Sequence, residues 1–320
     1  MKKLTLIVFS LFLVAATASA GVTPALLNLV MPDATVVSGM NVAQSLTSPF
    51  GQYILSQMQF NDSEFVQFIS TTGFDPRKDL LEIVAATPST GSSTTHSGLI
   101  LGRGVFNVAM IVSTATAEGG VVTNYNGFNL IGPPAGQSTD PVALAFLDGG
   151  TAAMGDSASV KAAIDRKIAG ATYTGALAQT AMTVSASNSA WFATNTPLSD
   201  FMSTRQGGNL GPVAQSGLMQ SITAASGGVQ FGSTAITVSA DAVTASPQNA
   251  QALVDVLKFF VSMIAGNANA PSGVASIASS AQFSVNGSTA HISLLLPEAQ
   301  VEQLLMPQAS RKKVHSAAQR

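Results

Sequence analysis

Three histidines, His96, His291 and His315, are the only imidazoles in this 320-residue chain, and none has a Glu or His at metal-ligand spacing. His96 lies in a run of Ser and Thr that reads as a solvated loop, and His315 lies in a basic tail. His291 falls in the second strand of a hairpin. There it serves either as a half-buried strand residue or as the general base of a hydrolase, should folding bring a Ser or Asp to it. Serines are plentiful, but no Gly-x-Ser-x-Gly elbow occurs, and the single Ser-x-x-Lys match, Ser310 to Lys313, is in the tail.

Asp75, Asp79 and Glu82, with Asp62 and Glu64 upstream, are spaced so that a cation could gather them. The same residues also read as helix chemistry. Asp75-Pro76 is an N-cap followed by proline at the first helical position, and Asp79 compensates the helix dipole. No calcium-loop pattern is present. Gly98, Gly102 and Gly104 are not spaced as a dinucleotide fingerprint, and no glycine cluster is followed by the lysine of a phosphate loop. No cofactor is expected.

Arg103 is the one charge in the apolar stretch 98–112, which calls for an acidic side chain or a ligand carboxylate as partner, or else an arginine reaching solvent from a strand end. Trp191 and Phe192 are adjacent in a strand and so point to opposite faces. One belongs to the core, and the other could line a groove. Arg103 and Trp191 are therefore the candidate ligand contacts.

Composition narrows the function classes. The chain has no cysteine, which excludes disulfides, thiolate catalysis and cysteine-ligated zinc. Lys2 and Lys3, the apolar run 4–15 and the small residues ending at Ala18-Ser19-Ala20 form an export signal, with the cut expected after Ala20. That run is too short to span a bilayer, so a chain without a membrane span, in the periplasm or outside the cell, is expected. Fourteen Lys and Arg stand against sixteen Asp and Glu. Four of the basic residues, Arg311, Lys312, Lys313 and Arg320, lie in the tail and leave an acidic body unsuited to nucleic acid. The tail reads as a disordered end, with contact to an anionic surface as the sharper alternative. Only 9% of residues are charged, so the surface must be covered mainly by small neutral polar groups.

The elements that would position these residues follow from hydrophobic period and punctuation. Short helix is predicted at 24–30, strand at 35–40, and helix from the cap Asn41 through Met58. Further helix is expected at 64–71, strands at 80–86 and 98–106, an Asn107-capped segment over 108–117, and one or two strands within 121–131. A hairpin folds around Asp148-Gly149-Gly150 and leads into a helix ending at Ile168. The later stretch repeats this layout: strand at 190–194, a Thr196-Pro197 cap, helix over 218–225, strands at 229–231 and 235–240, and helix over 247–265. The hairpin at Asn286-Gly287 and a last helix to 306 complete it. Asn286-Gly287-Ser288-Thr289-Ala290 lies on Asp148-Gly149-Gly150-Thr151-Ala152 without a gap.

The expected fold is α+β: two similar units, each a mainly antiparallel sheet packed with helices. The expected boundaries are 1–20 for the signal peptide, 21–175 and 176–308 for the units, and 309–320 for the tail. Long helices argue against an outer-membrane barrel.

The phrases LNLVMPDA (27–34), TGFDPRKDL (72–80), GRGVFN (102–107), Tyr125 to Gly127 and MGDSASVKAAID (154–165) resemble a loose group of exported bacterial proteins of unknown function, over about residues 26–168. The resemblance implies export and an α+β fold, and it transfers no site. The functional expectation is a non-enzymatic binding or scaffold module. A carrier of an apolar or glycan ligand between the two units is the second reading, and an exported hydrolase using His291 the third.

Overall fold

The computed structural model describes residues 22–57, 63–88, 98–134, 136, 142–197, 217–266 and 273–305. The signal segment, the basic tail with Arg311, Lys312 and Lys313, the loop holding His96, Asp62, and the helix expected after the Thr196-Pro197 cap with the 207–212 loop after it lie outside these residues.

Among the described residues the strands β1 (Ala34–Asn41), β2 (Leu80–Pro88), β3 (Leu99–Gly104), β4 (Gly120–Tyr125), β5 (Phe128–Pro134), β6 (Val142–Asp148), β7 (Thr151–Asp156), β8 (Ala190–Thr194), β9 (Ile222–Phe231), β10 (Ala235–Thr244), β11 (Gln282–Asn286) and β12 (Thr289–Pro297) form one sheet. Its order is β11-β12-β10-β9-β8-β1-β2-β3-β7-β6-β5-β4. Every adjacent pair is antiparallel. The expected α+β class with antiparallel pairing is therefore present. Both halves of the chain build a single continuous sheet, joined where β1 pairs with β8.

Helices α1 (Pro24–Leu27), α7 (Ser157–Ala169) and α8 (Ala176–Ser187) pack on one face of this sheet. There Val37, Val84, Leu99, Leu101, Ala145, Ala153 and Ala193 from the strands meet Leu26, Val160, Ile164, Leu177 and Ala181 from the helices in the main core. The other face carries α2 (Val42–Thr47), α3 (Pro49–Gln57), α4 (Ser63–Thr72), α5 (Pro76–Asp79) and α6 (Val108–Ala117) over or beside the first half. Over the second half it carries α9 (Gly217–Gln220), α10 (Pro247–Ala265) and α11 (Val274–Ser279); α12 (Glu298–Leu305) follows β12 and also touches α3. A smaller core beneath α10 joins Leu253 and Val254 to Ile222 and Ala290. No helix among the described residues is long and apolar enough to cross a membrane.

Local chemistry explains most element ends. Asn41, Asn107, Asp156 and Ser246 each accept a backbone N–H from three residues on, at 2.8–3.2 Å, and so cap α2, α6, α7 and α10. The single helix expected from Asn41 to Met58 is split at Ser48-Pro49. Proline has no N–H to donate, and it forces Ser48 into extended backbone. The 121–131 stretch is two strands joined by Asn126-Gly127, both at positive φ, the pairing that a tight hairpin turn demands.

Two differences from expectation come from tertiary pairing. Helix was expected over 218–225, yet α9 ends at Gln220 and Ile222 already pairs in β9 with Thr244. Ala224 and Ala225 favour helix on their own, and pairing with β10 alongside overrides that preference. Helix α8 had no expectation at all. Its buried stripe, Leu177, Ala178, Ala181 and Ser185, is made of residues too small to give strong amphipathic contrast.

Candidate functional site

Two recesses on opposite faces of the sheet are the candidates. The first lies under α2 and α3. It holds about 250 Å³ and is lined by Met40 of β1, Val42 and Leu46 of α2, Phe50 and Ile54 of α3, and Phe231 of β9. The Ser48-Pro49 break lets α3 turn back so that Phe50 sits with its ring 5.5 Å from that of Phe231. Gly51 allows this turn because its bare Cα rests against the Ser45 carbonyl, where a Cβ would collide. Pro76 and Arg77 of α5 also contribute, and Asp75 grips the Arg77 guanidinium through both carboxylate oxygens at 2.8 and 2.7 Å. The remaining lining is almost wholly hydrocarbon. Its chemistry is exclusion of water and close packing.

The second recess is a groove of about 500 Å³ between α8 and the opposite face of β9, β10 and β12. Asp241 and His291 are direct cross-strand partners, and His291 Nδ1 lies 2.8 Å from Asp241 Oδ1. The ionised carboxylate only accepts, so this bond places the proton on Nδ1 in the neutral ring and leaves Nε2 as an acceptor turned away from Asp241. Ser226 and Ser239 stand beside the pair, and Gln179, Thr180 and Thr183 face it from α8. The structure thus supplies the aspartate for which the His291 reading asked. Among the described residues no serine hydroxyl is in hydrogen-bond reach of the ring, so a base and its orienting group are present without a nucleophile.

The other residues singled out by the sequence occupy structural positions. Glu82 is 2% exposed. Its carboxylate accepts from the Thr23 N–H at 2.6 Å, the Thr23 hydroxyl at 2.5 Å and Arg103 Nε at 3.0 Å. Arg103 therefore has the acidic partner its isolation called for, directly across from it in β2. Asp75 caps α5, and its own N–H donates to Asp79 at 2.7 Å. Asp79 is engaged by the Asp75 N–H while Glu82 is held apart by Thr23 and Arg103, and among the described residues no group of three or more His, Asp or Glu comes together. The hydrogen bond from Arg77, helped by its charge, holds the Asp75 carboxyl below its ordinary value. Trp191 is 5% exposed in the main core, lying over Gly39, where a Cβ would stand 2.7 Å from the indole. It lines neither recess, while Phe192 is partly exposed on the other face.

The cavity residues went unread as a site because each is an ordinary core type in its own element. Asp241 went unread as the partner of His291 because the two are 50 residues apart.

No protein-family profile matches the chain, and a search of curated proteins returns no match. Among solved structures the chain is similar to TP0453. In one crystal form of that protein the TM-score is 0.51 at 10% identity, covering 89% of this chain and 97% of the other. In a second form the TM-score is 0.50 at 11% identity, covering 88% and 97%. The likeness is one of fold.

Proposed function

We propose that this chain is an exported, non-enzymatic binding module that carries a small apolar ligand in the cavity beneath α2 and α3. The observation that carries this reading is the hydrocarbon lining of Met40, Val42, Leu46, Phe50, Ile54 and Phe231 around about 250 Å³. Ligand pockets commonly run from about 300 to 1,000 Å³, so this volume suits one small ring system or a short alkyl segment. The leader-like residues 1–20 support export to the periplasm or beyond.

The same reading includes internal duplication. Outward from the β1·β8 junction the strands run β1-β2-β3-β7-β6 on one side and β8-β9-β10-β12-β11 on the other, with β5-β4 added at one edge. The order supports two units of like topology fused through their first strands. The cavity draws on both, because Phe231 comes from the second.

Binding of the neutral fluorophore N-phenyl-1-naphthylamine tests the carrier reading. Wild-type protein is expected to bind it saturably, and Val42→Phe, which fills the cavity, to weaken binding about tenfold or more while the circular dichroism spectrum stays unchanged. Absence of saturable binding, or equal binding by the variant, overturns the reading.

A further inference from the structure

The polar groove on the opposite face has a character of its own, set by the pleat of β9, β10 and β12. Alternation sends Ala240, Ala242, Ala290 and Ile292 toward the α10 side and leaves Ser239, Asp241, His291 and Ser293 on the other. Helix α8 covers β1, β8 and the near edge of β9, and does not extend over β10 and β12 as it does over these. The row Ser226–Asp241–His291 therefore continues outward from the buried residues Val37 and Ala193 into the groove. One row of the sheet is core at its centre and a polar floor at its end.

The groups on that floor are largely unspent. Ser226, Ser239, Gln179 and Ser187 make no side-chain hydrogen bond with any described residue. Thr180 and Thr183 donate to carbonyls one turn back in α8, which leaves their oxygens as acceptors. His291 Nε2 accepts and Asp241 Oδ2 accepts, while the serine hydroxyls and the Gln179 amide can do both. Among the described residues the lining contains no Lys or Arg, so none of them would neutralise a phosphate or carboxylate. It offers no large exposed apolar side chain of the kind that anchors a peptide. Asp241 has one oxygen engaged by His291 and is the single acidic residue among the described lining, so an ammonium ligand would find no carboxylate pair there.

We propose that this groove is a second binding site, separate from the apolar cavity, for a neutral polyhydroxylated ligand, a glycan segment. Sugar hydroxyls donate to His291 Nε2 and Asp241 Oδ2 and accept from Ser226, Ser239 and Gln179. The Asp241–His291 bond holds the ring so that Nε2 faces the ligand, so His291 is a binding residue and Asp241 both binds and positions it.

The test is saturation-transfer NMR on the full mature chain with malto-, cello- and chito-oligosaccharides as neutral probes, polygalacturonate oligomers as acidic probes, and spermidine as a cationic one. At least one neutral series is expected to bind. His291→Ala and Asp241→Asn are expected to weaken that binding fivefold or more, and Thr183→Arg, at an exposed site on α8, to block it. Amide spectra confirm that each variant is folded, and N-phenyl-1-naphthylamine binding stays unchanged in all three. No neutral saccharide bound, a preference for the acidic or cationic probe, or binding indifferent to all three substitutions overturns the proposal.

Discussion

Glu82 is a heavily committed side chain. Its two oxygens receive the Thr23 N–H, the Thr23 hydroxyl and Arg103, all on the face that α1 covers. Truncation would strand the donors of a buried site and release the start of α1. Glu82→Ala is expected to lower the unfolding free energy by about 2–3 kcal/mol in urea titration, less than the loss of a fully enclosed pair because Arg103 keeps partial contact with water. Amide exchange should rise first between Thr23 and Met31, ahead of the sheet. The lone charge at Arg103 made the need for an acid legible in the sequence. The identity of that acid was not, because a register sets it and registers are fixed by neighbours far along the chain. The same holds for His291, whose reading hinged on a residue in another strand. Trp191 was legible only as a choice between two faces, and the bare Cα of Gly39 is what receives it.

Element ends were legible wherever the signal is local. Asn41, Asp156 and Ser246 cap the helices they precede, and Gly170, at φ 59°, closes α7 in the left-handed conformation glycine favours. Several of these local devices are carboxylates, which makes them sensitive to acid. Burial pulls the carboxyls of Asp148 and Asp156 upward, but hydrogen bonds outweigh it: Lys167, Gly150 and Thr151 donate to Asp148, and Ser159, Gly98 and Ala158 to Asp156. Both end below the ordinary 3.8, as does Asp75. A carboxyl depressed by folding stabilises fully above its unfolded value of about 3.9 and loses that contribution as pH falls through the folded value. The melting temperature is therefore expected to be flat with respect to these groups above about pH 5 and to fall below about pH 4. Asp156→Asn, which keeps an N-cap acceptor without the charge, should flatten that fall measurably in differential scanning calorimetry. Where no local signal exists, as in α8 and the start of β9, sequence alone left the element unread or misread.

At the scale of the molecule, hydrophobic period tells which side chains share a face but not which strands are neighbours. The α+β class and the matching hairpins were legible for that reason. That both halves share one sheet was not, since the join depends on β1 finding β8. The proposed duplication has its own test: residues 21–175 and 176–320 produced as separate chains should reassociate through β1 and β8 into a complex that unfolds cooperatively. Two halves that remain apart, each soluble or each aggregated, would remove it.

The clasp on the first described residues also dictates an order of events in time. Thr23 waits for Glu82, 59 positions later; the Leu29 carbonyl waits for Arg166, 137 later; and Asn28 waits for the Tyr173 amide, 145 later. Loops of that span close slowly, since their entropy must be spent before the contacts return anything. A chain emerging N-terminus first thus delivers its locking segment at the outset and must hold it loose until most of the first half has followed. The piece that arrives first is among the last to be fastened.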